Sequence, residues 1–296
     1  MISRNEEQMM QLILEVANKD ARIRAVLLNG SRANPNVAQD IFQDYDIIYV
    51  VTDLAPFLQD HSWIDIFGER MILQLPEDME LYPPSPELDG AFSYLMQFTD
   101  GNRIDLILVP VAHLQNFTDD SLSKVLLDKD GQYNLAALPP ASDHSYVVTL
   151  PSARAFGDCC NEFWYTSAGL AKGLWRQQVT HVKGLFHQVI QEALLQMLDW
   201  HIGCQHNFTV NPGKFGKFYQ QHLEPDMYAR LLLTYTPATV ADSWAALYAA
   251  IDLFRDTALL VAQQLGYTYP MEEDQKVMIY LKHVQHLPDN AKRIYE

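Results

Sequence analysis

Leu28-Asn29-Gly30-Ser31-Arg32, followed thirteen residues past Ser31 by Asp44-Tyr45-Asp46, is the stretch whose reading decides the fold. Two short apolar runs frame it, residues 23–28 before the glycine and residues 47–51 after the second aspartate. Both are aliphatic and rich in β-branched residues, with turn formers at their ends, which predicts strands. A Gly-Ser turn therefore closes one strand, and a pair of acids opens the next. Side chains alternate faces along a strand, so Asp44 and Asp46 point the same way, about 6.6 Å apart. A third acid, Asp105, interrupts the strand-like run Arg103-Ile104-Asp105-Leu106-Ile107-Leu108-Val109.

Two carboxylates on one face raise each other's pKa and repel, which is costly without a cation. Acids at strand starts are also common as plain solvated residues. The Gly-Ser turn upstream sets this pair apart. Mg²⁺ takes oxygen ligands, usually one or two carboxylates together with substrate phosphates. Asp105 on a paired strand would complete the cluster, and an acid buried in an apolar run needs a partner. Two metals about 3.5–4 Å apart would clamp the attacking and leaving oxygens of an in-line displacement. Gly30 permits close backbone approach or positive φ. Ser31 offers a hydroxyl and an N–H, and successive N–H groups at such a turn form an anion-binding concavity. Arg32 is either a bidentate phosphate contact or a surface charge. The set has the chemistry of nucleotidyl transfer.

The bulk numbers bound this reading. The chain has 296 residues, 48% hydrophobic and 20% charged, which predicts a soluble globular protein of two domains. No apolar stretch reaches the roughly 18 residues needed to span a bilayer, so no membrane partner is expected. Residues 1–20 lack a signal-peptide core and read as an amphipathic helix. Cys159 and Cys160 are neighbours and Cys204 stands apart. That spacing suggests neither disulfide framework nor zinc site and predicts a reducing cytoplasm. The formal charge is -16, from 21 basic and 37 acidic residues. Nucleic-acid binders need a basic face, so nucleic acid is not an expected partner. An acidic balance suits a small cationic ligand, as it also suits solubility alone. A monomer or weak homo-oligomer is expected.

Met9, Leu12, Ile13 and Val16 recur at helical spacing. Residues 67–75 predict a third strand, and residues 92–99 and 103–109 a hairpin joined by Asp100-Gly101. Residues 76–86, carrying Pro76, Pro83, Pro84 and Pro86, predict an acidic loop. The stretch 139–151 predicts a linker. Helical patterns follow over 155–175, 179–203, 225–235 and 239–265. The expected fold class is α+β. Residues 1–150 form the catalytic domain, a mixed β-sheet with flanking helices. Residues 151–296 form an all-helical bundle that binds nucleotide and substrate.

In the helix after the linker, Glu162, Tyr165, Gly169, Lys172 and Arg176 fall within about 80° of one another. If that face meets the Gly-Ser turn, Lys172 and Arg176 neutralise the β- and γ-phosphates of a nucleotide, and Tyr165 lies beside them. The plainer reading is a solvated face. On the next helix, Gln188, Glu192, Gln196 and Asp199 share a side. Glu192 and Asp199 are candidates to receive the guanidinium or ammonium groups of a cationic substrate.

Several strings carry a family resemblance. They are Leu27-Leu28-Asn29-Gly30-Ser31-Arg32-Ala33-Asn34-Pro35-Asn36, Phe42-Gln43-Asp44-Tyr45-Asp46-Ile47 and Asp100-Gly101-Asn102-Arg103-Ile104-Asp105-Leu106. In the helical half they are Cys159-Cys160-Asn161-Glu162-Phe163-Trp164, Ala171-Lys172-Gly173-Leu174, Met197-Leu198-Asp199-Trp200-His201-Ile202-Gly203 and Leu265-Gly266-Tyr267-Thr268-Tyr269-Pro270. Over nearly the whole chain the sequence resembles the streptomycin (aminoglycoside 6-) adenylyltransferases. The Gly-Ser and paired-Asp pattern alone belongs to the wider polymerase-β-like superfamily. The resemblance implies transfer of AMP from Mg·ATP to the 6-hydroxyl of streptomycin, with loss of pyrophosphate and drug resistance as the result. It matches Asp44 and Asp46 to the metal-binding pair and Asp105 to the third carboxylate, as general base, metal ligand or both. The active site is expected between the two domains. The same fold with another acceptor, an aminoglycoside or a lincosamide, remains open, as does a nucleotide-binding regulatory protein without turnover.

Overall fold

The computed structural model describes residues 3–82, 90–131, 135 and 138–295. The chain divides into two compact units, Met1–Ser145 and Tyr146–Glu296.

In the first unit, α1 (Glu6–Lys19) starts at Asn5. The Asn5 side chain accepts from the Gln8 N–H, and the Gln8 side chain accepts from the Asn5 N–H, so two end donors are satisfied reciprocally. Then follow β1 (Ile23–Asn29), α2 (Gly30–Ala33), β2 (Tyr45–Val51), α3 (Ala55–Leu58), β3 (Arg70–Gln74), β4 (Phe92–Phe98), β5 (Arg103–Pro110) and β6 (Lys124–Asp128). The strands form one sheet in the order β3-β4-β5-β2-β1-β6. Its β2–β5 pair is parallel and the other pairs are antiparallel, so the sheet is mixed.

Alternation sorts the strand side chains into two cores. Leu28, Ile47, Tyr49 and Leu106 pack on the face that α1 covers with Met9, Ile13 and Val16. Ala25, Leu27, Ile48, Val50 and Val109 pack on the other, under Leu114 and Phe117. A one-residue slip would exchange these sets, so the register is fixed by burial on both faces. Asp46 and Asp105 share parity with Ile48, Val50 and Val109, and therefore end the second face in acid.

Some boundaries differ from expectation. The strand over 67–75 shortens to Arg70–Gln74, because Phe67 ends a 3-10 turn (His61–Phe67) and Gly68 follows at φ 118°. Asp44 lies just before β2 rather than inside a strand. Sequence periodicity gives no sign of β6, which is only five residues long and half-buried. Pro76–Asp78 makes a single 3-10 turn, and residues 83–86 of the expected loop lie outside the described residues. The hairpin turns at Gly101, φ 91°. Beside it, Arg4 Nε meets Asp100 Oδ2 at 2.6 Å and holds that carboxyl well below the usual range.

The second unit is helical: α4 (Ala153–Trp175), α5 (Val179–Leu185), α6 (Gln191–Gln205), α7 (Tyr219–His222), α8 (Pro225–Leu232), α9 (Val240–Leu265) and α10 (Met271–Gln285). A π turn, Phe186–Ile190, runs α5 into α6. Ser152 caps α4 and Thr239 caps α9, each accepting a backbone N–H three residues on. Gly266 ends α9 in the left-handed conformation. Phe163 of α4 stacks on Phe254 of α9, centroids 3.8 Å apart, at the centre of one apolar core. Sequence patterning missed α10. Its first turn is fixed by Arg255, whose Nε and Nη2 each meet the buried Asp274 carboxylate at 2.6 Å. Cys159, Cys160 and Cys204 are free thiols. Among the described residues no helix is long and apolar enough to cross a membrane.

Candidate active site

The acids gather where β1 ends and β2 and β5 begin. Asp46 on β2 has Asn29 as its register partner on β1 and Asp105 as its partner on β5. Directly opposed residues face the same side, so Asp46 and Asp105 stand about 4.8 Å apart at the backbone. Asp44, two residues earlier, joins them electrostatically. Asp46 is mostly buried. Burial first, then the charges of Asp105 and Asp44, push its carboxyl up to about 6, against the pull of Arg103. Asp44 is raised chiefly by burial and also by Asp105, with Arg103 and Arg32 opposing.

Gly30 is required here. Its φ is 68°, and a Cβ placed on it would stand 2.0 Å from Asp46 Oδ2. No other residue lets the turn lie against that carboxylate. Ser31 follows, partly exposed, with its carbonyl accepting from Gln43 Nε2 at 3.4 Å.

Two expectations change. The Arg32 guanidinium does not serve as an open phosphate contact. It donates to the Asp44 and Gln43 carbonyls, pairs with Glu6, lies 3.9 Å over the Tyr45 ring, and is only 6% exposed. It fastens the segment that carries Asp44. The three acids do not form a preformed metal cage either. Arg103 grips Asp105 through two hydrogen bonds, 2.7 and 2.8 Å, and comes within 3.7 Å of Asp44. Among the described residues no group of three His, Cys, Asp or Glu side chains is set to hold a metal. Without a cation three nearby carboxylates repel, and Arg103 supplies the opposing charge. The donor set still suits Mg²⁺, which needs only one or two carboxylates when phosphate oxygens complete its shell. Asp44 and Asp46 fit as that pair. Asp105 fits once Arg103 withdraws.

Sequence reasoning passed over Arg103 and Asp120. Arg103 was legible, because it lies two residues before Asp105 and so on the same strand face. Asp120 was not. It sits in the loop before β6, reaches Asn29 Nδ2 at 3.4 Å, and adds to the negative field on Asp46.

In the second unit Glu162, Tyr165 and Lys172 occupy the solvent face of α4, opposite the buried Phe163, Leu170, Ala171 and Leu174, and Arg176 is exposed at its C-cap. Lys172 and Arg176 share one hollow, which Tyr165, 77% exposed, does not line. Glu192 and Asp199 line a different hollow of about 480 Å³ with Tyr219, Tyr235 and Gln191. The Asp199 carboxylate accepts from Tyr219 at 2.7 Å, and burial raises it to about 6. Gln191 is 6% exposed, and its Nε2 has no hydrogen bond of normal geometry, although Tyr235 stands beside it. Glu192 also borders a neighbouring hollow that holds Asp158 and Glu162. An acidic, aromatic recess of this kind suits an organic cation.

A family model described as streptomycin adenylyltransferase matches residues 3–284. Aminoglycoside 6-adenylyltransferase of Bacillus subtilis is 41% identical over 269 residues, covering 90% of this chain and 93% of that protein. The chain belongs to the streptomycin adenylyltransferase family. A second relative in this family, aminoglycoside 6-adenylyltransferase of Campylobacter jejuni, is 41% identical over 279 residues, covering 94% of this chain and 95% of its own. The crystal structure of an aminoglycoside 6-adenyltransferase from Bacillus subtilis is 35% identical, covers 96% of this chain and 100% of its own, and gives a TM-score of 0.47. As a streptomycin adenylyltransferase family member, the protein is an enzyme of the nucleotidyltransferase class.

Proposed function

We propose that this enzyme transfers AMP from Mg·ATP to the 6-hydroxyl of streptomycin, releases pyrophosphate, and thereby inactivates the drug in the cytoplasm. The observation that carries the reading is Asp46, buried against the Gly30 turn beside Asp44 and Asp105. A mostly buried carboxylate with two acidic neighbours calls for a cation. Asp44 and Asp46 would hold Mg²⁺, which supplies charge neutralisation at the phosphates.

The chain's own residues do the rest. Gly30 and Ser31 offer backbone N–H groups and a hydroxyl to the phosphates. Lys172 and Arg176, both exposed and cationic, would serve the triphosphate, with Tyr165 on the same face. Asp105, released by Arg103, takes the proton of the acceptor hydroxyl. The hydroxyl oxygen bonds to the α-phosphorus as the bridge to the β-phosphorus breaks. Glu192 and Asp199 receive the cationic groups of the acceptor. We place the domain roles accordingly, with residues 1–150 supplying the carboxylates and residues 151–296 the nucleotide and acceptor contacts. A monomer or weak homo-oligomer, binding neither nucleic acid nor membrane, fits this role.

The test is an acceptor panel with ATP and Mg²⁺, read by mass spectrometry. Streptomycin is expected to gain one adenylyl group. Labelling of a different aminoglycoside or a lincosamide in its place would reassign the acceptor. Absence of any product would favour a nucleotide-binding protein without turnover.

A further inference from the structure

One hollow of the helical unit gathers four cations from two segments. Lys172 and Arg176 from the end of α4 face Lys292 and Arg293 from the segment after α10, around a cavity of about 190 Å³. An adjoining cavity of about 580 Å³ shares Lys292 and Arg293 and adds His283 and His286. Among the described residues, no Asp or Glu lines either cavity. In a chain with 37 acidic residues against 21 basic ones, that is a local reversal of sign. Among the described residues, none of the four cations has a side-chain ion pair or hydrogen bond.

The segment after α10 is held in place, so its cations are positioned rather than merely close in sequence. Trp175 Nε1 donates to the Leu287 carbonyl at 3.2 Å. Tyr295 stacks on His283, ring centroids 4.4 Å apart, and His283 Nε2 also meets the Ile294 carbonyl. The Ala291 N–H closes a turn on Pro288 at 2.9 Å.

Four like charges around one recess repel one another until a multivalent anion joins them. Two guanidinium groups and two ammonium groups match a chain of phosphates, which offers several charged oxygens to fork and point donors. Trp175, Tyr280, Val284 and Leu287 also line the cavity and add apolar and aromatic surface suited to a ring.

We propose that this hollow is a polyphosphate-binding site completed by Lys292 and Arg293, and that the phosphate chain of a nucleotide is its ligand. The anion site stands on the cavity and its charges. The nucleotide as ligand rests on the adenylyl-transfer reading.

The test uses the full chain and titration calorimetry with three probes: inorganic pyrophosphate, ATP and adenosine. The double variant Lys292→Ala/Arg293→Ala is compared with the parent, with Lys292→Arg/Arg293→Lys, and with Lys214→Ala/Lys217→Ala, which removes two cations elsewhere. Melting curves establish that each variant is folded. Pyrophosphate and ATP are expected to bind at least about tenfold more weakly to the double alanine variant, with adenosine unchanged. The swapped variant and the distant lysine variant are expected to bind like the parent. In turnover, KM for ATP rises and kcat stays within about twofold. Unchanged binding of both phosphates overturns the site, while the adenylyl-transfer reading survives if product still forms. Weaker pyrophosphate with unchanged ATP overturns the nucleotide as ligand. Equal weakening in the distant lysine variant overturns the site in favour of general charge attraction.

Discussion

Arg103 holds the carboxylate of Asp105 by two hydrogen bonds, 2.7 and 2.8 Å long, two residues apart on one strand. The third acid of the site is therefore engaged by a neighbour on its own face. Arg103 acts as a resident cation that a metal would have to displace. Arg103→Gln removes that competitor. In the absence of nucleotide, the variant is expected to bind Mg²⁺ or Mn²⁺ more tightly by about 1 kcal/mol, roughly fivefold. Calorimetry checks this, and unchanged or weaker metal affinity would refute the competition.

Gly30→Ala places a methyl group where Asp46 Oδ2 stands, at a φ of 68°. The expected cost is about 1–3 kcal/mol of stability from the backbone alone, with loss of transferase activity as the turn or the carboxylate moves. Denaturant unfolding and product formation are the two readouts. A stable, active alanine variant would mean that the turn does not need its close approach.

Asp46 titrates near 6 in the fold against 3.8 for an ordinary aspartate. Between those values the folded chain holds the extra proton, so stability falls as pH rises from about 4 to about 6 and stays lower above. The shift corresponds to at most about 3 kcal/mol. Asp46→Asn does not titrate. It is expected to exceed the parent in stability at pH 7.5 without divalent cation, with the gain fading towards pH 4. Melting curves across that range check this. A variant less stable than the parent at pH 7.5 would show that the carboxylate is satisfied where it stands.

The core of this site was legible because strand alternation is a strong constraint. The parity that buries Ile48 and Val50 also fixes where Asp46 points, and the parallel register of β2 and β5 brings Asp105 level with it. Arg32 was misjudged because a guanidinium beside a turn reads equally as a phosphate contact or as a strut. Only the three-dimensional path of residues 43–45 shows that its donors go to the Gln43 and Asp44 carbonyls and its face to Tyr45. Asp120, Lys292 and Arg293 were invisible for another reason. They sit in irregular segments, where no period ties a side chain to a direction. Strand β6 and helix α10 escaped notice because the first is five residues long and the second is defined by Arg255 and Asp274, a pairing across 19 residues.

Asp199 sits in the acidic hollow with Tyr219, raised to about 6 by burial. Asp199→Asn is expected to raise KM for streptomycin by roughly tenfold or more, as loss of a charge-assisted contact would, with KM for ATP unchanged. In the parent, acceptor affinity is expected to strengthen as pH rises from 5 to 7 and Asp199 ionises. Steady-state kinetics at fixed ATP checks both. A variant with unaltered KM for the acceptor would remove Asp199 from the binding site.

The most direct measurement follows adenylyl transfer itself. Parent enzyme and Asp46→Asn are incubated with streptomycin, ATP and Mg²⁺, and the drug is weighed by mass spectrometry over time. The parent is expected to yield streptomycin heavier by one adenylyl group, and the folded variant to slow that reaction by at least about 10²-fold. Adduct formation by Asp46→Asn at the parental rate would contradict the central role given to this carboxylate.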